Sequence, residues 1–411
     1  MTVHATPARE GRALGREGGA LGRERAWRTG LLIGAAAGIA AGYVGRRAER
    51  LTRDGLVDWP TAERLAAERL GRAPGALPDR EIAAAEPAYA EIMARIVPLL
   101  EARLHEPLPG VVERFAVVGR AGWASANAAT FRSLVRRLEE PLLAEVRRRP
   151  GALAGLATLA DRYVTTRQIG FLLGYLGTRV LGQYDIALLA AEEVPGRLLF
   201  VEENIRATAA QLEVPLERMR LWIALHETTH AFEFEAHPWL RPYLAERLER
   251  QLAALLDEAE GLRTEGLIRL LRRVRRPQGG DLLSAFMTAE QRRVLRETQV
   301  VMSLLEGFGD WIMDDVGAQV LPDVAAIRAR FEARRSARRS GLDRLLGRLL
   351  GLDLKLEQYR RGERFVAGVH ALSGENGLAQ LWRGPETLPD ERELADPSRW
   401  VRRVMTHAAD G

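Results

Sequence analysis

Two histidines and a glutamate lie close together in one apolar stretch of this sequence. The stretch reads LWIALHETTHAFEFEAHPWLRPYL, residues 221–244, and holds His226, Glu227 and His230 in the order H-E-x-x-H. Residues four apart share one face of a helix, so both imidazoles would point toward the same place with the glutamate beside them. This arrangement is typical of zinc-dependent hydrolases, in which the imidazoles hold the ion and the glutamate takes a proton from the activated water. The alternative is a core helix with two hydrogen-bonded histidines.

A catalytic zinc needs a third protein ligand, and Glu306 is the best candidate. It belongs to VMSLLEGFGDWIMDDVG, residues 301–317, in which Glu306 and Asp310 are four residues apart and share a helical face. Their neighbours are apolar, so two carboxylates in these surroundings would need a cation. We therefore predict that Glu306 completes the zinc site and that Asp310 accepts the free N–H of one ligand histidine. A solvated acidic face is the alternative.

His237 is nearer in sequence but does not fit the longer pattern H-E-x-x-H-x-x-G-x-x-H. That pattern needs a glycine at position 233 and a histidine at position 236, where this chain has Glu233 and Ala236. His237 stays open as a fourth ligand. Four protein ligands would close a structural zinc site, whereas a catalytic site keeps one position for water.

Four segments of the chain resemble one family of bacterial proteins. They are WIALHETTHAFEFEAHPWLRPYL, RVLGQYDIAL (residues 179–188), LLEGFGDWIMD and LLGLDLKLEQYRRGERFV (residues 349–366). Together they are similar to the bacterial zincin-like hydrolases often labelled as associated with deazaflavin coenzyme biosynthesis, and the similarity runs from about residue 57 to residue 400. The resemblance implies a largely helical metallohydrolase. It also implies a zinc site on His226, His230 and Glu306, with Glu227 as the catalytic base.

Four further residues are candidates for contacts with the substrate or with an oxyanion. A tyrosine hydroxyl can donate a hydrogen bond to a tetrahedral oxyanion, and Tyr184, Tyr243 and Tyr359 are candidates for this role. Each would otherwise be a packed aromatic side chain. Lys355 is the only lysine in the chain. A site that needs a compact ammonium group, which arginine does not replace, would explain its presence.

Helices must position these residues, and the apolar pattern predicts a mainly α domain over residues 51–411. Apolar residues recur at three- and four-residue spacing in 92–104, 131–146, 244–271 and 343–356. Strand signals are few, and the best is GRLLFVEEN, residues 196–204, with one hairpin partner nearby. We expect a zincin-like helical domain with at most a small β element.

Composition and charge exclude several classes of site. The 411 residues include no cysteine, so disulfides and thiolate chemistry are excluded, and a metal must be held by His, Asp or Glu. The net charge of +5 lies entirely in residues 1–50, which carry nine arginines and four glutamates. The formal charges of residues 51–411 therefore sum to zero. This lack of net positive charge argues against a nucleic-acid partner.

The basic N-terminal arm, residues 1–50, contains an uncharged segment rich in glycine and alanine at 30–45. This segment is slightly shorter than a membrane span requires. Its regularly spaced glycines and flanking arginines would nevertheless suit contact with a bilayer. We expect a cytoplasmic protein, and membrane association through the arm stays open beside a buried or unstructured arm.

The sequence therefore predicts a zinc-dependent hydrolase, and specifically a metallopeptidase that acts on a peptide or amide substrate with Glu227 as general base. The alternative is a non-catalytic, zincin-like metal-binding or scaffold protein that meets a membrane through its arm. The number of protein ligands on the metal separates the two hypotheses, because only a catalytic ion keeps an open position.

Overall fold

The computed structural model describes residues 55–108, 110, 113–148, 152–185, 196–251, 289–337 and 355–409. This part of the chain is mainly helical with one small sheet, as predicted. The helices are α1 (Trp59–Gly71), α2 (Asp79–Ala83), α3 (Glu86–Leu104), α4 (Arg120–Arg148), α5 (Ala152–Gly177), α6 (Glu202–Leu212), α7 (Leu216–Glu235), α8 (240–251), α9 (Ala289–Asp315), α10 (Gly317–Val320), α11 (Val324–Ala337), α12 (Lys355–Leu381), α13 (Glu391–Ala395) and α14 (Pro397–Ala409). The strands are β1 (Phe115–Val118), β2 (Gly182–Asp185) and β3 (Arg197–Val201).

The predicted helical segments can be compared with these helices only in part. Segments 92–104 and 131–146 lie inside α3 and α4. Segment 244–271 is helical as far as residue 251, and most of segment 343–356 lies outside the described residues, as does the whole N-terminal arm with its segment at 30–45. No helix in the described ranges is long and apolar enough to span a membrane.

The chain divides into two compact units. The smaller unit consists of Met1–Asp58 and Glu139–Arg167, and in it the backbone N–H of Leu56 donates to Oε1 of Glu139 at 2.7 Å. The larger unit consists of Trp59–Leu138 and Gln168–Gly411. It contains the sheet and every candidate catalytic or metal-ligating residue.

The three strands form a sheet in the order β1-β3-β2, with β3 parallel to β1 and antiparallel to β2. The prediction of a strand in 196–204 with a hairpin partner is confirmed by β3 and β2. The strand ends earlier than its pattern suggests, because Glu202 and Glu203 begin α6, where acidic residues suit the positive end of the helix. The sequence pattern does not predict β1, since four residues are too few to display a period of two.

Helix α7, which carries the H-E-x-x-H sequence, lies at the centre of the core. It packs against α3, α6 and α9 and against strands β2 and β3. Its residues from Met219 to Leu225 are all buried. A helix that is covered on every side is typical of a protein interior. Contacts on several sides therefore fix the axis of the helix that positions the two histidines.

Helices α9 and α12 pack along each other and approach closely at two glycines. A Cβ atom added at Gly362 would overlap the carbonyl oxygen of Ser303, and one added at Gly307 would overlap the backbone of Gly362. Only residues without a side chain permit backbones to come this close. This crossing holds the part of α9 that carries Glu306, the residue before Gly307.

Candidate metal centre

Helix α7 provides the first two candidate ligands. His226 and His230 lie one turn apart, with ring centroids separated by 4.7 Å and ring planes at 79°. Their side chains are 22% and 16% exposed, whereas Leu225 and Ala231 beside them are fully buried. The two imidazoles therefore border the core and remain accessible to an ion.

Helix α9 brings Glu306 to the same place. Nε2 of His226 lies 4.0 Å from Oε2 of Glu306, and His226, His230 and Glu306 each offer a ligand atom within 4.8 Å of the other two. Gly309 faces both rings, since a Cβ atom there would lie 3.5 Å from Cε1 of His230 and 3.7 Å from Nδ1 of His226. No other His, Asp or Glu side chains in the described ranges form such a group of three. The structure thus brings together the three residues predicted as metal ligands.

These donors suit a divalent cation. Two imidazole nitrogens and a carboxylate oxygen are common zinc ligands at about 2.0–2.2 Å from the ion, and around a tetrahedral ion such ligand atoms lie about 3.4 Å apart. The 4.0 Å between Nε2 of His226 and Oε2 of Glu306 is slightly longer than this separation. The charge of Glu306 also acts unfavourably on the carboxylates of Glu227 and Glu233. A cation held by the three donors would offset this repulsion.

Glu227 lies beside the donors and is held by strand β2. The backbone N–H of Tyr184 donates to its carboxylate. Gly182 leaves the space for it, because a Cβ atom at Gly182 would lie 2.6 Å from Cγ of Glu227. Burial, together with the charge of Glu306, raises the pKa of Glu227 to about 7, although His230 and the Tyr184 N–H oppose this shift. A carboxyl group of this pKa can accept and return a proton near neutral pH, and a bound cation would lower the pKa.

Glu233 is a residue of the site that the sequence analysis does not predict. Its side chain is fully buried, and Oε2 lies 2.8 Å from Nδ1 of His230. Burial raises the pKa of Glu233 to about 7. Burial alone lowers the pKa of His230, but the charges of Glu233, Glu306 and Glu227 raise it to about 10. The signal for Glu233 in the sequence is its spacing, since residues three apart are neighbours on a helix.

Comparisons with known proteins agree with this geometry. Residues 57–401 match the model of a family described as zincin-like metallopeptidases. The chain belongs to this family. It is also similar to a protein from Chloroflexus aurantiacus whose crystal structure is described as that of "a putative hydrolase with a novel fold", with 36% sequence identity and a TM-score of 0.61 over 84% of this chain and 98% of that chain. No curated protein matches the sequence significantly.

Membership in the zincin-like metallopeptidase family confirms the resemblance inferred from the four sequence segments. The matched residues include α7 and α9, and therefore all three donors and Glu227. The N-terminal arm precedes the match. The family implies a divalent metal, and the donor group on α7 and α9 is where this zincin-like protein can hold one.

Asp310 lies one turn after Glu306 on α9. Its Oδ1 is 3.8 Å from the guanidinium group of Arg328, which also donates to the backbone carbonyl of Asp310 at 2.6 Å. Because Glu233 is the hydrogen-bond partner of Nδ1 of His230, Asp310 can accept the free N–H of His226 only. That role stays a prediction.

Tyr184 and Tyr243 are both packed against the core. The hydroxyl of Tyr184 donates to Oε1 of Glu235 at 2.9 Å, and burial raises the pKa of this hydroxyl. The ring of Tyr243 lies 3.3 Å from the guanidinium carbon of Arg247. For the Tyr184 hydroxyl to stabilise an oxyanion, its bond to Glu235 would have to break. The structure instead connects Tyr184 to the site through its backbone N–H, and the substrate contacts predicted for both hydroxyls stay predictions.

Lys355 and Tyr359 lie in the first turns of α12, but their side chains fall outside the described part of the structure. Their predicted contacts with a substrate therefore also stay predictions.

The ring of His237 has an aromatic environment. It stacks on Trp382 at 5.1 Å and 4°, and it meets Phe232 edge-on at 5.5 Å. Burial lowers the pKa of His237 to about 4, so the ring is neutral at physiological pH. His237 does not belong to the three-donor group in the described structure. The structure therefore gives no support to His237 as a fourth ligand.

Proposed function

We propose that this protein is a zinc-dependent metallopeptidase whose zinc ion is held by His226, His230 and Glu306. The observation that carries this proposal is the convergence of three donors beside Glu227. An ion with three protein ligands keeps a position for water and substrate. The number of donors in the described structure therefore favours catalysis over a closed structural site in a scaffold protein.

The zinc ion, when bound, supplies polarisation of the scissile carbonyl and a lower pKa for the attacking water. Glu227 accepts the proton of that water and passes it to the departing amine. The N–H of Tyr184 holds the carboxylate of Glu227 in place for both proton transfers, and the absence of a side chain at Gly182 leaves room for it.

The substrate class that we propose is a peptide or an amide, by analogy with the metallopeptidases that share this family. Attack by activated water on a carbonyl flanked by nitrogen requires a base and an acid in sequence, and one glutamate supplies both. The charge distribution does not support a nucleic-acid partner, since the formal charges of residues 51–411 sum to zero. Membrane contact through residues 30–45 is a separate proposal.

Metal content tests the three-ligand site. Purified protein should contain about one zinc ion per chain by plasma mass spectrometry, and Glu306→Ala and His226→Ala should each lose most of it, because each removes one of three ligands. Glu297→Ala is the control, since Glu297 lies on the same helix as Glu306 but is bonded to Arg247. It should keep the metal. A wild-type protein that holds no metal, even after zinc repletion without chelators, would end the proposal.

Alanine at Gly182 should impair catalysis without removing the metal. The added Cβ would lie 2.6 Å from Cγ of Glu227 and 3.0 Å from its Oε1, so the carboxylate must move. A displacement of about 1 Å at a catalytic group can cost about 100-fold in rate, and we expect kcat to fall at least about 10-fold with zinc content unchanged.

The control for this experiment is Gly309→Ala. Gly309 also borders the site, but its added Cβ would lie 3.5 Å from the nearest atom of His230, an ordinary van der Waals distance. Gly309→Ala should therefore keep most of the activity. Equal kcat values for Gly182→Ala and wild type would show that the position of Glu227 does not depend on strand β2.

A further inference from the structure

Glu233 is more deeply buried than the three donors of the metal centre, with a side chain that is 0% exposed. We infer that Glu233 is a positioning residue, which fixes the tautomer and the ring orientation of His230. This inference rests on the metal centre proposed above.

The geometry of one hydrogen bond determines which nitrogen of His230 can bind a metal. Oε2 of Glu233 lies 2.8 Å from Nδ1 of His230, and a carboxylate can only accept at that distance, so Nδ1 carries the proton. Metal binding requires the neutral form of His230. A neutral imidazole has a single N–H, so its other nitrogen presents a lone pair. Nε2 of His230 is therefore left for the ion, as Nε2 of His226 is the nitrogen that faces Glu306.

The second carboxylate oxygen distinguishes this role from a structural one. Oε1 of Glu233 is buried and has no hydrogen-bond partner in the described structure. Glu202 is equally buried, but it is bonded to Arg220, to Arg206 and to the hydroxyl of Tyr89. A buried carboxylate that serves stability is expected to have such partners. The single hydrogen-bond partner of Glu233 in the described structure is His230, a candidate metal ligand. We therefore connect the burial of Glu233 with this contact.

A carboxylate in this position has two effects on a metal-binding histidine. It holds the ring plane, and its negative charge increases the basicity of the imidazole. Loss of such a partner typically weakens metal binding by about 10–100-fold. The stability of the metal-free protein should not fall in the same way, because Oε1 of Glu233 is buried without a hydrogen-bond partner in the described structure, and a buried polar atom in this state is unfavourable for folding. Removal of Glu233 should therefore change metal affinity and stability in opposite directions.

The test compares Glu233→Met and Glu233→Gln with the wild type. Zinc dissociation constants are measured by competition with a chromophoric chelator, and the metal-free proteins are unfolded in urea. We expect Glu233→Met to bind zinc about 10–100-fold more weakly and to be at least as stable as wild type without metal. Glu233→Gln keeps an acceptor for Nδ1–H, so its zinc affinity should lie between those of wild type and Glu233→Met. The visible absorption spectra of the cobalt-substituted variants should differ from the wild-type spectrum in the same order, with the larger change in Glu233→Met. A purely structural role of Glu233 would not produce this change.

The control is Glu202→Gln, which removes the charge of a buried carboxylate that is paired with arginines. It should lower stability and leave zinc affinity unchanged. Zinc binding within twofold of wild type in both Glu233 variants would overturn the inference and leave the metal centre intact. If Glu233→Met does not fold, Glu233→Gln decides by the same criterion. A wild-type protein that binds no zinc would overturn the metal centre, and this inference with it.

Discussion

Glutamine in place of Glu227 should leave the zinc bound and reduce hydrolysis by at least about 100-fold. The amide has nearly the shape of the carboxylate, and its oxygen still accepts the hydrogen bond from the N–H of Tyr184. It cannot, however, take the proton of the attacking water. Glu227 is not one of the three donors, so zinc per chain should stay at the wild-type value. The measurement is the initial rate on a mixture of quenched fluorescent peptides, with zinc content determined on the same samples.

Two variants separate the loss of the base from other causes. Glu306→Ala should lose zinc and activity together, whereas Glu227→Gln should lose activity alone. Glu217→Gln makes the same substitution in the exposed first turn of α7 and should change neither. Hydrolysis by Glu227→Gln at the wild-type rate would show that another group accepts the proton, and the mechanism proposed for this site would be wrong.

The donors on α7 could be predicted because a single helical turn relates them. The spacing of His226 and His230 is local, so it determines their relative position once the segment is helical. Glu306 is distant in sequence, and its spacing to the histidines carries no information. The sequence predicts its role through two carboxylates among apolar neighbours, which would need a cation, and through the family resemblance. The structure places Glu306 4.0 Å from His226.

Features that depend on contacts between elements could not be predicted. Glu233 follows His230 by three residues, but its complete burial depends on the helices and strands around α7. The role of Gly182 depends on the approach of strand β2 to Glu227. Strand β1 forms because β3 pairs with it, and its own four residues carry too weak a pattern. In each case the deciding neighbour lies far away in sequence.

Alanine at Gly362 should lower the free energy of unfolding by about 3 kcal/mol and also weaken zinc binding. The added Cβ would overlap the carbonyl oxygen of Ser303 on α9, and backbone atoms within a helix cannot move aside as a flexible side chain can. The two helices must therefore separate. Because Glu306 lies on α9 beside the crossing, this separation displaces one of the three donors. Urea unfolding of the metal-free protein and zinc competition measure the two effects.

Gly71→Ala is the matched control for this crossing, because an added Cβ there would have no neighbour within 4 Å. Alanine is the better helix former by up to about 1 kcal/mol, so Gly71→Ala should be at least as stable as wild type and should bind zinc normally. Glu306→Ala adds the complementary case, since it removes a ligand and leaves the crossing intact. It should weaken zinc binding without the loss of stability. Wild-type stability in Gly362→Ala would mean that α9 and α12 do not depend on this glycine contact, and that other contacts of α9 position Glu306.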